Sequence, residues 1–306
     1  MSIGRAPAAA RPAVTIVRLM SDELLASSAD GVLTLTINRP ERRNALSWDV
    51  ITGLRAAVAA AKDDAAVRAV VITGAGEKAF CAGADLGGMA DNASYAEVHD
   101  ARGELARLFL DLYGLGKPTI AKVRGFCLAG GFGLALACDL VIASDDATFA
   151  TPEINVGLWP YMITVPLTRS MPPKKALELM MTGRRIDAAE ADALGLLTRV
   201  VSAADLDGAV AETAALLASK SPSVMKMGRD SFYSVWGRNA ADSLAQLHPL
   251  LTLNTSLEDA VEGIATADDV HGRHDRAAAV RRRRVQEPGP VGLDHGDLDD
   301  ARGICR

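Results

Sequence analysis

The chain has 306 residues, of which 49% are hydrophobic and 23% charged, a composition typical of a globular protein with a substantial core. Its 33 basic and 38 acidic residues leave a formal net charge of −5, which argues against a nucleic-acid-binding protein with a clustered basic face. The four cysteines form no C-x-x-C pair and the histidines lack metal-ligand spacing, so no metal site is predicted. No run of 18 or more apolar residues occurs, so no membrane span is predicted.

The first 20 residues are rich in alanine and arginine and contain no acidic side chain. Transit peptides and disordered extensions share this composition, and the sequence leaves both interpretations open. We predict a disordered extension over residues 1–27. The cysteine usage fits a reducing compartment, so we expect a cytoplasmic protein.

Strand and helix patterns alternate along the first half of the chain. Residues 32–40 alternate apolar and polar side chains, which predicts a strand, and Ser47 is placed to cap a helix over 48–62. Further strands are predicted at 69–76, 118–125 and 139–144, and further helices at 104–113 and 131–137. This rhythm predicts an α/β fold with parallel strand pairing.

From residue 173 onward the pattern predicts only helices, at 174–182, 187–194, 205–219, 221–236 and 242–265. The tail after residue 267 loses this periodicity and carries the arginine run 281–284. We interpret the tail as a solvated, disordered segment, with a basic arm for an anionic partner as the alternative. The chain is thus divided into an extension 1–27, a core 28–200, a helical region 201–266 and an atypical tail 267–306.

Two glycine-rich turns carry the pattern that points to chemistry. AFCAGADL, residues 79–86, follows one predicted strand, and GFCLAGGFGLALACD, residues 125–139, places Gly130 and Gly131 at a helix start. Helix N-termini expose unpaired N–H groups, and glycine lets a ligand approach the backbone closely. Two such turns facing one point would provide paired donors for a developing oxyanion. The glycine spacing does not match a dinucleotide-binding fingerprint.

Five ordered blocks, at 38–47, 79–86, 117–144, 147–158 and 176–201, together resemble the crotonase superfamily of enoyl-CoA hydratases and isomerases. The resemblance implies a spiral of repeated ββα units, followed by a helical C-terminal region that makes trimer contacts. It also implies a homotrimer or a dimer of trimers. The implied substrate is a coenzyme A thioester, with coenzyme A as part of the substrate and no tightly bound cofactor.

On this resemblance, the backbone N–H groups of Ala84 and Gly130 would hold the thioester oxygen, and Glu153 would act as acid and base. Two loops would line the coenzyme A ester through Arg43, Ala45, Ala82, Ala84, Asp85, Leu86 and Gly130. For Arg43, a phosphate contact and a solvated surface position both stay open.

The resemblance also exposes a departure at Gly133, where family hydratases place a second glutamate. One carboxylate cannot clamp a water as two do, and single-glutamate relatives resemble enoyl-CoA isomerases. Hydration, double-bond isomerisation and a non-catalytic acyl-CoA-binding role therefore stay open. Trp159 and Tyr161 are candidates to enter the space beside Gly133, with packing against the acyl chain or core as the alternative for Tyr161.

Overall fold

The computed structural model describes residues 15–18, 21–85, 94–264 and 266. In chain order the elements are β1 Thr15–Arg18, β2 Leu24–Ala29, β3 Val32–Ile37, α1 Trp48–Asp63, β4 Ala69–Gly74, β5 Ala79–Cys81, α2 Tyr95–Tyr113, β6 Thr119–Val123, β7 Phe126–Leu128, α3 Gly130–Ala137, β8 Leu140–Ser144, β9 Thr148–Ala150, α4 Tyr161–Ser170, α5 Pro173–Thr182, β10 Arg185–Asp187, α6 Ala188–Ala193, β11 Arg199–Val201, α7 Leu206–Ala218, α8 Pro222–Val235 and α9 Ala240–Thr255. Short 3-10 helices lie at Pro40–Arg42 and Pro152–Val156. Within the described residues, no helix is both long enough and apolar enough to span a bilayer.

The strands form two sheets. The large sheet has the order β1-β2-β3-β4-β6-β8-β11, antiparallel up to β3 and parallel beyond it. The small sheet has the order β10-β9-β7-β5, with β9, β7 and β5 parallel. Successive units β4-β5-α2 and β6-β7-α3 each place one strand in the large sheet, one in the small sheet, and then a helix. The predicted α/β fold of repeated ββα units is therefore confirmed.

The core uses both faces of the large sheet. Val70 and Ile72 of β4 belong to the main cluster, which includes every non-glycine residue of α3 and the buried face of α1. Val71 points to the other face, where it joins buried side chains of α7 such as Leu206 and Val210. Alternate residues of a strand face opposite sides, so α7 covers the side of the sheet remote from α3.

Two predictions of organisation need correction. The disordered extension predicted over 1–27 contains β1 and the first residues of β2. These strands are ordered because β1 pairs antiparallel with β2, and β2 with β3. The all-helical stretch predicted after residue 173 contains β10 and β11, which add short edge strands to the two sheets. The chain divides into a unit Met1–Asn254 and a unit Thr255–Arg306, and the second contributes a helix at 258–264. Residues 1–14 and the predicted tail 267–306 lie outside the described residues.

Candidate active site

Three of the predicted site residues lie beyond the carboxyl ends of neighbouring strands of the small sheet. β5 pairs in parallel with β7, and β7 with β9, so these strands run towards one edge. Ala84 follows β5, Gly130 begins α3 after β7, and Glu153 follows β9 in a 3-10 helix. This edge is where open parallel α/β sheets bind their ligands. The topology thus brings these three residues to one edge of the sheet.

The turns after β5 and β7 are in close contact. A Cβ atom placed on Gly83, whose φ is +104°, would lie 2.6 Å from Ala129 Cβ and 3.6 Å from Gly130 N. A Cβ placed on Gly130 would lie 3.8 Å from Ala84 N. A side chain at position 83 would push the turns apart, so this approach depends on glycine. The backbone nitrogens of Ala84 and Gly130 are consequently near each other.

The N–H groups of Ala84 and Gly130 take no part in the local hydrogen bonding of the described backbone. Leu46 N donates to Gly83 O at 2.7 Å and Asp85 N donates to Leu46 O at 2.9 Å, which skips the N–H of Ala84. Gly130 is the first residue of α3, where helical pairing provides no acceptor. Among the described residues, no main-chain oxygen accepts from either group. Neither donor is used by the backbone pairing of the described residues.

Glu153 combines partial burial with an unsatisfied carboxylate. It lies in the first turn of the 3-10 helix Pro152–Val156, and within the described part of the chain its buried Oε2 has no hydrogen-bond partner. Burial disfavours the charged form and raises the pKa of Glu153, and the backbone N–H of the same residue offsets this only in part. A carboxyl group in such surroundings is suited to exchanging a proton with a ligand.

The space beside Gly133 is filled with hydrocarbon. A Cβ placed on Gly133 would lie 2.3 Å from Ile163 Cγ2 and 2.9 Å from Phe109 Cζ. The nearest atoms therefore come from Ile163 of α4 and Phe109 of α2 and not from Trp159 or Tyr161, whose part in the substrate pocket stays a prediction. Tyr161 is 71% exposed, because it begins α4 two residues before Ile163 and points away from this contact.

A pair of exposed arginines flanks an aromatic ring near these turns. The guanidinium carbons of Arg43 and Arg185 lie 5.5 and 5.4 Å from the centroid of the Phe126 ring. The carbonyl of Arg43 also accepts from Ala82 N at 3.0 Å, which joins its loop to the turn after β5. Sequence reasoning identified Arg43 but missed Arg185, which stands in a three-residue strand that showed no recognisable period.

The other predicted lining residues serve partly to hold the turns. The carbonyl of Ala45 accepts from Arg39 Nη1 at 2.8 Å, and the Asp85 carboxylate pairs with Arg39 Nη2 at 2.8 Å. Arg39 was missed by sequence reasoning because both contacts depend on the folded loops. Leu86 lies outside the described residues.

The opposite end of α3 leads to a hydrogen-bonded cluster around Asp139 and Arg229. Asp139 accepts from Thr119 N and Thr119 Oγ1, from Arg229 Nε at 2.8 Å and from Tyr233 Oη at 2.6 Å. Arg229 also donates to the carbonyls of Leu112 and Tyr113. These bonds connect α8 to α2 and to the start of β8. A cavity of about 260 Å³ lies beside this cluster, between the ends of α3 and α4.

Comparison with known proteins identifies the family to which this fold belongs. The family model described as enoyl-CoA hydratase/isomerase matches residues 27–266. A probable enoyl-CoA hydratase of Mycobacterium tuberculosis is 37% identical over 232 residues, which cover 76% of this chain and 89% of that protein. The chain belongs to the enoyl-CoA hydratase/isomerase family.

The chain is also similar to a further named relative in sequence and to a solved structure. The carnitinyl-CoA dehydratase of Proteus mirabilis is 39% identical over 207 residues, covering 66% of this chain and 77% of that protein. The crystal structure of an enoyl-CoA hydratase of Mycobacterium smegmatis matches with a TM-score of 0.78 at 34% identity, covering 81% and 97% of the two chains. The predicted crotonase resemblance is thereby confirmed.

Proposed function

We propose that this family member binds an enoyl-CoA thioester with the carbonyl oxygen between the N–H groups of Ala84 and Gly130. The proximity of these two unused donors carries the proposal. Charge that develops on the oxygen when a proton leaves C2 would be stabilised there. Loss of one such donor costs about 3–4 kcal/mol of transition-state stabilisation in other enzymes.

Glu153 is the proposed acid and base, and double-bond isomerisation is the reaction that its surroundings favour. Its carboxylate takes a proton from C2 of a 3-enoyl-CoA, and the electron pair delocalises onto the thioester oxygen and C4. The carboxylic acid then returns the proton to C4, which yields the 2-enoyl-CoA and consumes no water. A raised pKa keeps the protonated form accessible for the second step.

The hydrocarbon beside Gly133 supports isomerisation over hydration. Ile163 and Phe109 occupy the space where a second carboxylate would otherwise enter, so no acidic group at position 133 can hold a water. Hydration remains the second candidate, because similar chains carry the names probable enoyl-CoA hydratase and crotonyl-CoA hydratase. A non-catalytic acyl-CoA-binding role is the third, and it predicts binding without turnover.

Arg43 and Arg185 are proposed to face the phosphates of the coenzyme A nucleotide. Both side chains are exposed, and both stack near the Phe126 ring, which orients the guanidinium groups. Planar guanidinium groups match phosphate oxygens well. The hydrogen bond from Ala82 N to the Arg43 carbonyl, which joins the Arg43 loop to the turn that carries Ala84, supports this proposal.

A homotrimer, or a dimer of trimers, is the proposed assembly. Four large apolar side chains of α8 and α9 are mostly exposed in the single chain: Phe232, Leu244, Leu251 and Leu253. Extensive exposed apolar surface marks sites of interaction with other chains. Light scattering of the full chain tests this, and a monodisperse monomer would contradict it.

Two assays on one preparation separate the candidate reactions. We expect 3-hexenoyl-CoA to become the conjugated 2-enoyl thioester, and crotonyl-CoA to be hydrated at least about a hundredfold more slowly. Glu153→Gln should lower isomerisation about a hundred- to ten-thousandfold while butyryl-CoA still binds. Faster hydration than isomerisation would reverse the assignment, and unchanged turnover in Glu153→Gln would remove Glu153 from the mechanism.

A further inference from the structure

Arg39 lies almost completely buried, with 8% of its surface exposed, behind the turn that carries Ala84. Its guanidinium lies close to oxygen atoms of three separate segments. Nε lies 2.9 Å from Glu23 Oε1, Nη2 lies 2.8 Å from Asp85 Oδ2, and Nη1 donates to Ala45 O at 2.8 Å. Nη1 and Nη2 make hydrogen bonds, whereas Nε lies at ion-pair distance from Glu23 and makes no hydrogen bond to a described residue. A planar guanidinium holds these contacts in fixed directions, which an ammonium on a flexible stem does not reproduce.

The far side of this cluster is anchored in regular structure. Glu23 directly precedes β2, and its Oε2 accepts a short hydrogen bond from Ser47 Oγ. Ser47 caps α1 by accepting from Val50 N at 3.2 Å. Arg39 therefore connects the start of β2 and the start of α1 to the turn after β5.

The peptide between Gly83 and Ala84 is oriented by this anchored segment. In a planar trans peptide the C=O and N–H bonds point in opposite directions. Leu46 N donates to Gly83 O, so the N–H of Ala84 is turned away from Leu46. The next link is Asp85, whose N–H donates to Leu46 O and whose carboxylate is held by Arg39. Both sides of Ala84 are thereby restrained.

We propose that Arg39, through Asp85 and Glu23, is a positioning residue that aims the Ala84 N–H at the thioester oxygen. The proposal rests on the proposed function, because it gives this N–H a task in the reaction. Misplacing a catalytic group by about 1 Å can cost about a hundredfold in rate. We expect Arg39→Lys to lower kcat about ten- to hundredfold and to change KM less than about threefold.

The decisive test uses a ligand that reports on the oxyanion directly. Acetoacetyl-CoA ionises to an enolate with its own ultraviolet absorbance, and donors at the thioester oxygen lower the pH at which the bound ligand ionises. We expect the bound ligand to ionise at higher pH in Arg39→Lys than in the unchanged protein. Butyryl-CoA, which does not enolise under these conditions, should bind both proteins with the same Kd within about twofold.

Two further variants complete the test. Asp85→Asn keeps the shape of the side chain and should also raise the pH at which bound acetoacetyl-CoA ionises. This second variant keeps the proposal testable if Arg39→Lys does not fold. Arg184→Lys is the matched control, because Arg184 also bridges two carboxylates, Glu178 and Glu190, on α5 and α6. Its enolate ionisation should equal that of the unchanged protein.

The outcomes distinguish this inference from the proposed function. If the unchanged protein binds butyryl-CoA and ionises acetoacetyl-CoA, and folded Arg39→Lys and Asp85→Asn do so at the same pH, the positioning role is wrong. An equal shift in Arg184→Lys would also overturn it. If the unchanged protein binds neither thioester, the proposed function fails, and this inference fails with it.

Discussion

The two ends of α3 differ in how completely their polar groups are satisfied. At the N-terminal end, within the part of the chain that the structure describes, the N–H groups of Gly130 and the adjacent Ala84 have no main-chain acceptors and the buried Glu153 Oε2 has no partner. At the C-terminal end, Asp139 accepts four hydrogen bonds and Arg229 donates three. Tyr113 Oη, beside the Asp139 cluster, is also buried without a partner among the described residues, so the contrast concerns backbone donors and carboxylates. Buried polar groups are normally paired, and the open donors and carboxylate near the N-terminal end are therefore suited to pairing with a ligand.

The same helix also contrasts two glycines one turn apart. The closest atom to a Cβ on Gly130 would be Leu105 Cδ2 at 3.3 Å, the end of a flexible side chain. On Gly133 the Cβ would collide with Ile163 Cγ2 at 2.3 Å. Thus one glycine leaves its backbone approachable, while the other permits helices to pack tightly.

The largest expected effect falls on the C-terminal end of α3. Arg229→Met would leave the Asp139 carboxylate and two carbonyls without their buried donor, and we expect a loss of about 3–5 kcal/mol in the free energy of unfolding. Denaturant titration measures this. Lys226→Met on the same helix is the control, since its ion pair with Asp230 is exposed and should contribute less than about 1 kcal/mol. Equal losses of unfolding free energy in the two variants would refute the structural role of the pair between Arg229 and Asp139.

A matched pair of alanine substitutions tests the two glycines. Gly133→Ala should destabilise the fold by about 1–3 kcal/mol through overpacking against Ile163. Gly130→Ala should change stability by less than about 1 kcal/mol, since any strain is offset by the helix propensity of alanine. Its Cβ would crowd the ligand oxygen, so turnover should fall at least about tenfold. A stable Gly133→Ala protein would show that the space is larger than the structure indicates.

Loss of the proposed contact between Arg185 and the coenzyme A nucleotide should have a smaller effect that depends on the substrate. Arg185→Gln removes one guanidinium, and we expect KM for a CoA thioester to rise about three- to tenfold. KM for the corresponding N-acetylcysteamine thioester should stay the same, because that substrate lacks the nucleotide. Arg199→Gln, which removes an exposed arginine of β11 paired with Glu212, provides the control. A rise in KM for both substrates would show that Arg185 does not act through the nucleotide.

The smallest expected effect is a change in how stability varies with pH. Because burial raises the pKa of Glu153, the native state holds this proton more tightly than the unfolded chain does. The contribution of Glu153 to stability is fully present below the ordinary pKa of 4.5 and is lost as pH rises through the native-state pKa. Relative to Glu153→Gln, the unchanged protein should therefore lose stability as pH rises above about 4.5. Parallel pH profiles from denaturant titration would argue against a raised pKa.

The sequence predicted the large sheet better than the small one. Strands β3, β4, β6 and β8 have five or six residues, enough to show alternation or a continuous apolar run. Strands β5, β7, β9 and β10 have three residues each, which is too short for any period. The first part of α2 was also missed, although Ser94 and Glu97 form a capping box there.

The candidate site was predicted where it depends on turn residues and missed where it depends on tertiary contact. Gly130 and Glu153 stand in recognisable motifs directly after strands. The contact of Ile163 with Gly133 joins α4 to α3, and the ion pair of Arg39 with Asp85 joins residues 46 positions apart. Neither contact has a local sequence signal, because each arises only when separate segments pack together.

The geometry of the Gly83–Ala84 peptide determines which substitutions this site tolerates during evolution. Every residue except proline carries a main-chain N–H, so the identity of residue 84 does not encode the donor. What encodes it is the surrounding set: the small size of Gly83, the backbone of Leu46 and the charges of Arg39 and Asp85. Under the proposed function, a lineage would keep its chemistry through exchanges of residue 84 for any residue with an N–H, and would lose it through a change at Arg39, which does not touch the substrate.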